Sequence, residues 1–177
     1  AILAASADGR AVLLDATTGH VSAQCLIPTG LLDADLSPDG RRALLAGPAG
    51  AAAWTDGAPP EPLGPPGWAA RARWSPAGLG AVALGRRTVV LDVTSGTTWS
   101  SPAVSSTVTD LAWIEGGRRL ALAAYGGVTI VEPGTDSAPV AKPFVGSLLA
   151  LAASADGRWI VSGSQDASLQ VFSAERD

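Results

Sequence analysis

The sequence predicts an all-β chain: a β-propeller of four-stranded antiparallel blades, with about four and a half blades present. Three observations carry that expectation. Turn glycines recur with one period: Gly157, Gly117, Gly78 and Gly40 are spaced 40, 39 and 38 residues apart. A second series, Gly134, Gly96, Gly57 and Gly19, is spaced 38, 39 and 38 residues apart. Finally, the stretch Leu148 to Asp177 reads as three short apolar runs joined by Ser154-Ala155-Asp156-Gly157 and Ser162-Gly163-Ser164-Gln165-Asp166. A three-stranded meander is too small to bury both faces, so it needs neighbours like itself. Two turn series at one period of about 40 residues supply them.

Composition agrees. Of 177 residues, 47% are hydrophobic and 16% charged, with 21 Gly and 13 Pro. Short apolar runs punctuated by Gly and Pro suit strands and tight turns. A formal net charge of −4 with no basic face argues against nucleic-acid binding.

In chain order, residues 1–30 give strands over 2–5, 11–15 and 21–27, the second to fourth strands of a partial unit. Residues 31–67 form a complete unit whose outer strand lies in the proline-rich stretch 58–67. Proline cannot donate to a ladder, so that strand belongs at an edge. Residues 68–106 give strands over 69–74, 80–84, 88–93 and 97–101. Residues 107–147 give 108–114, 119–123, 128–131 and 138–142. Residues 148–177 are a partial unit of three strands. The total is about eighteen strands. The simplest expectation is that this is a segment of a longer chain whose ring has more blades. In isolation, its open blade edges should drive oligomerisation.

The unit resembles the WD40 repeat along essentially the whole chain. The residues that carry the likeness are Leu36-Ser37-Pro38-Asp39-Gly40-Arg41, Trp74-Ser75-Pro76-Ala77-Gly78, and Ser162-Gly163-Ser164 with Asp166. Val90-Leu91-Asp92 and Leu13-Leu14-Asp15 stand where the family has its Trp-Asp pair. No unit carries the family's Gly-His pair in the loop entering its first strand, and no Trp-Asp dipeptide is intact. The resemblance implies a non-catalytic scaffold that binds another protein or another domain of its own chain.

Innermost strands would line a central channel. Registering them on their turns puts Asp33 and Asp35, Arg71 and Arg73, and Asp110 and Ala112 at matching positions, with Ala150 and Ala152 in the last unit. The intervening positions are apolar, so period-two alternation separates charges from core. Asp33 and Asp35 are expected to face Arg71 and Arg73 as a register-setting ladder; the sharper alternative is an anion receptor at the arginines.

Among the six tryptophans, Trp54, Trp74 and Trp113 read as core, and Trp99 and Trp159 as packing between blades. Trp68 falls in a loop entering an inner strand. In this fold, such loops share one face with the loops joining second and third strands. That collects Trp68, Arg86, Arg87, Tyr125 and Asp166 as protein-contact candidates, of residue types enriched at interface centres.

No catalytic constellation, cofactor loop or metal motif is present. His20 is the only histidine and Cys25 the only cysteine, which excludes an internal disulfide framework and a Cys-based zinc site. Cys25 reads as a packed outer-strand residue. The alternative function is a propeller enzyme of hydrolase or lactonase type, which would concentrate carboxylates or histidines at the channel mouth. No apolar run reaches about 18 residues and no charged-then-apolar leader occurs. The expectation is therefore no membrane span, no cofactor and a cytoplasmic location.

Overall fold

The computed structural model describes residues 1–175. They form sixteen β-strands and one three-residue 3-10 turn, Glu115–Gly117, with no α-helix among them. The strands fall into four antiparallel sheets. The first sheet is β1 (Ile2–Ala5), β2 (Arg10–Leu14) and β3 (Val21–Leu26). The second is β4 (Asp33–Leu36), β5 (Arg42–Gly47), β6 (Gly50–Thr55) and β7 (Glu61–Pro62). The third is β8 (Ala69–Trp74), β9 (Leu79–Leu84), β10 (Arg87–Asp92) and β11 (Thr97–Ser100). Strand order follows chain order in each, so every sheet is a meander.

The last sheet differs from expectation. Its order is β12 (Asp110–Ile114), β13 (Arg119–Val131), β14 (Val140–Ala153), β15 (Trp159–Ser164) and β16 (Leu169–Ser173). Runs read as separate strands from the sequence are continuous here, so there are sixteen strands and not eighteen. The joins are visible in the pairing. Residues 119–123 of β13 pair with β12, whereas 127–130 pair with 140–143 of β14. Between them the register shifts, and Gly126 and Gly127 take φ of 99° and 129°. Residues 148–153 of β14 then pair with β15. Glycine can hold the positive φ while its neighbours keep pairing, so no loop interrupts the strand.

Successive meanders pack through apolar clusters. Ala11 and Leu13 of the first sheet meet Ala43, Leu45 and Trp54 of the second. Leu44 and Ala46 on the opposite face of β5 meet Ala72, Trp74 and Val82 of the third. Ala81, Ala83 and Val90 then meet Leu111, Leu120 and Leu122. Ala121, Ala123 and Ile130 meet Leu148 and Ile160 within the five-stranded sheet, so that sheet folds back on itself. Alternation along each strand feeds one core forward and one backward.

Both glycine series occupy turns at positive φ, from 70° to 96°. The turn at Gly117 also nests against the preceding unit: a Cβ there would lie 2.8 Å from the Ser75 Cβ. The proline-rich stretch contributes only β7, which pairs through Ala52 and Ala53, in keeping with an edge. Trp159 departs from expectation. It is 46% exposed, because no sheet among the described residues covers its side of β15.

Candidate functional site

The inner-strand charges are joined in a different pattern from the expected ladder. Arg73 Nη1 donates to Asp33 Oδ2 at 2.6 Å, as the register suggests. Asp35 meets no guanidinium among the described residues. Its Oδ1 accepts the Leu36 N–H at 3.0 Å and its Oδ2 the Trp74 N–H at 2.6 Å. Arg71 turns the other way, to Asp110 at 3.5 Å, and Arg73 also reaches Asp110 at 3.4 Å. Neighbouring strands are close enough for a short aspartate to reach backbone amides directly. That leaves Arg71 for the following unit.

A repeated device appears. Asp33 Oδ2 accepts the Ala72 N–H at 3.1 Å, and Asp110 Oδ2 accepts the Leu151 N–H at 2.8 Å. With Asp35 to Trp74, each carboxylate crosses to a backbone amide 39 to 41 residues further on. Two indoles cross back: Trp74 Nε1 donates to the Asp35 carbonyl at 3.2 Å and Trp113 Nε1 to the Arg73 carbonyl at 3.1 Å. Charge-assisted bonds of this type are stronger than neutral ones and directional, so they fix how far one sheet slides past the next. Carboxylates thus engage both guanidiniums, whose side chains remain 36% exposed.

The five loop residues lie along one connected edge. The Trp68 carbonyl accepts the Gly85 N–H at 2.8 Å. Arg86 Nε donates to the Val104 carbonyl at 2.8 Å, and Arg87 Nη1 to the Ser101 carbonyl at 2.7 Å. Ser105 Oγ donates to the Tyr125 carbonyl at 2.6 Å, and the Tyr125 N–H donates to Ser106 Oγ at 2.9 Å. Tyr125 pairs with Ser147, whose carbonyl accepts the Gln165 N–H at 3.0 Å beside Asp166. Trp68 and Tyr125 are 51% and 58% exposed, and both arginines are exposed. Their backbones are tied while their rings stand in solvent. A guanidinium has five donors, so one bond each leaves Arg86 and Arg87 with capacity for a partner.

Asp166 is committed to its own turn. Ser164 Oγ and Ser168 Oγ each donate to it at 2.6 Å, and the Ser168 N–H adds a third bond at 3.0 Å. Those donors hold its carboxyl down at about 2. Asp39 and Asp156 repeat the device with Ser37 and Ser154.

A cavity of about 300 Å³ escaped the sequence reading. Ile27, Leu31, Leu45, Ala52, Pro62 and Pro66 line it, between the first two sheets. The prolines marked an edge strand; that they also wall a hollow depends on the small alanines opposite, which carry no turn signal. Cys25 is half-buried in the first core, where burial raises its thiol pKa. His20 is exposed beside the Gly19 turn. No group of three His, Cys, Asp or Glu placed to hold a metal occurs among the described residues. Nor is any described helix long and apolar enough to cross a membrane. No family model matches the chain, and no curated protein matches it significantly.

Proposed function

We propose that the chain is a WD40-like propeller segment acting as a non-catalytic scaffold, and that it binds another protein or another domain of its own polypeptide through the loop edge. The observation that carries this reading is the hydrogen-bonded run of loops from Trp68 to Tyr125. It holds two exposed aromatic rings and two arginines on a tied backbone. Preorganised aromatic and arginine side chains lose little freedom on binding, which is why such residues dominate interface energetics. The propeller part is supported by meanders that pack forward and backward through successive cores. A reducing compartment, the cytoplasm, belongs to the same reading, supported by a single cysteine in the sequence, with no second thiol to pair with.

Alanine at Trp68, Arg87 or Tyr125, tested singly against a partner recovered by pull-down, should cost about 2 kcal/mol each if they are hot spots. Parent-like binding by all three, with loss on His20→Ala at a turn outside this edge, would overturn the assignment.

A further inference from the structure

The chain has no asparagine, so backbone rearrangement through a five-membered side-chain imide can start only from aspartate. It is fastest where glycine follows, because no Cβ hinders attack by the next amide nitrogen. Asp-Gly occurs four times, at Asp8-Gly9, Asp39-Gly40, Asp56-Gly57 and Asp156-Gly157. All four aspartates are exposed, so exposure of the carboxylate does not rank them. We propose that Asp56-Gly57 is a spontaneous modification site, at which the folded chain converts aspartate to isoaspartate while the other three pairs are protected.

At those three pairs the nucleophile is engaged. The Gly9, Gly40 and Gly157 N–H groups donate to the Ser6, Ser37 and Ser154 carbonyls at 2.9, 2.8 and 2.9 Å. The electrophile is engaged as well. Asp8, Asp39 and Asp156 accept the N–H groups of Arg10, Arg41 and Arg158, each at 3.1 Å. The Ser37 and Ser154 hydroxyls add bonds to Asp39 and Asp156 at 2.6 and 2.5 Å. Only the protonated acid can lose water readily, and bonds to the carboxylate disfavour that acid. All three accordingly titrate below the ordinary value of 3.8. Space is short at two of them. A Cβ on Gly9 would lie 1.9 Å from the Ile27 carbonyl oxygen, and one on Gly157 2.7 Å from the Glu115 nitrogen.

Asp56-Gly57 lacks these restraints. Among the described residues, neither the Asp56 carboxylate nor the Gly57 N–H takes part in a hydrogen bond. The turn is closed one residue on, where the Ala58 N–H donates to the Thr55 carbonyl at 3.1 Å. Gly57 is the exposed glycine of the four, and a Cβ there would meet nothing within 4 Å. The Gly57 nitrogen is thus free to attack Asp56 Cγ. The N–Cγ bond forms, the amide proton passes to solvent, and the carboxyl hydroxyl leaves as water. Water added back at Cγ restores aspartate. Water added at the Asp56 backbone carbonyl breaks its bond to the Gly57 nitrogen, and the chain then runs through Asp56 Cβ and Cγ. The sequence is redox-neutral and consumes the water it releases. The product adds one methylene to the turn leading into β7, whose Ala58 carbonyl also accepts the Trp54 indole N–H at 3.1 Å. This turn lies outside the Trp68–Tyr125 edge, so neither proposal rests on the other.

The test incubates the full chain at mildly acidic pH, folded in one sample and in concentrated urea in another. Peptide mapping with isomer-resolving fragmentation follows isoaspartate at each pair. In the folded sample Asp56 should lead the other three by about tenfold, the factor by which each unit of pKa depression lowers the protonated fraction. In urea the four should converge, because the hydrogen bonds are gone and the Asp-Gly dipeptide is common to all. Ser154→Ala should speed Asp156 in the folded chain and leave Asp39 unchanged. Another pair leading in the folded chain overturns the proposal, as does a folded Asp56 that stays intact while the urea sample reacts. A lead of Asp56 that persists undiminished in urea overturns it by placing the cause in local sequence. An Asp156 rate unmoved by Ser154→Ala overturns it by removing the protection on which the contrast depends.

Discussion

The junction between the second and third sheets and the outward face of the last sheet are made from the same strand pattern, yet only one is stitched. At the junction, Asp33 and Asp35 cross to the Ala72 and Trp74 amides, and the Trp74 indole crosses back to the Asp35 carbonyl. At the outward face, Ala150 and Ala152 hold the corresponding inner-strand positions, and the rows beyond them end in exposed Val161 and Val171. Apolar alternation therefore makes a face, while the carboxylates decide what that face is locked against. A hydrophobic row tolerates sliding by fractions of a residue; a 2.6 Å charge-assisted bond does not.

The largest expected effect comes from cutting the most buried stitch. Asp110 is 5% exposed and accepts the Leu111 and Leu151 amides while facing Arg71 and Arg73. Asp110→Ala strands two amides and removes the carboxylate from two guanidiniums, which should cost about 3 kcal/mol. The control is Ala150→Asp, at the matching position with no strand beyond it among the described residues, which should change stability by less than about 0.5 kcal/mol. Denaturant midpoints measure both. If the two substitutions move the midpoint equally, the stitches do not distinguish the regions.

How much of this was legible from residues alone follows from the range of each signal. Turn glycines and alternation are local, so the meanders and the buried faces of Ala72, Trp74 and Leu111 could be read directly. The same locality explains the misses. Tyr125-Gly126-Gly127 reads as a loop, yet pairing continues through it, because Gly127 meets Pro143 and Tyr125 meets Ser147. Trp159 looks like an inter-sheet residue because its position is one; whether a described sheet lies opposite it is not a property of the strand. Asp35 was paired with arginine by type, but sheet-to-sheet stagger placed a backbone amide nearer. The loop candidates came from topology, which is why distant residues such as Trp68 and Tyr125 could be grouped before any distance was known.

A smaller effect separates the arginines from the aspartates. Both guanidiniums are 36% exposed, so solvent screens their pairing with Asp33 and Asp110. Replacing Arg71 and Arg73 together with Gln leaves the carboxylate-to-amide bonds in place, and should lower stability by only about 1 kcal/mol. Binding through the loop edge should not change. A thermal midpoint falling as far as in Asp110→Ala would make the arginines equal members of the stitch. Lost binding at unchanged stability would restore them as a receptor.

The smallest effects sit in the turns, where carboxylates tie each meander to itself and not to a neighbour. Asp39, Asp156 and Asp166 are exposed, and each accepts a serine hydroxyl as well as a backbone amide, so each titrates below the ordinary value of 3.8, Asp166 at about 2. Because the folded values are depressed, the unfolded chain binds protons first as pH falls. Their stabilisation is complete above about pH 4 and is lost as pH drops towards 2. Asp166→Asn keeps a carbonyl oxygen in place of Oδ1, which accepts all three donors, but cannot titrate. It should be slightly less stable than the parent at neutral pH and should lose less between pH 4 and 2. Urea midpoints across that range, measured for Asp166→Asn and the parent, test it. Parallel acid limbs for Asp166→Asn and the parent would show that this turn adds nothing that titrates.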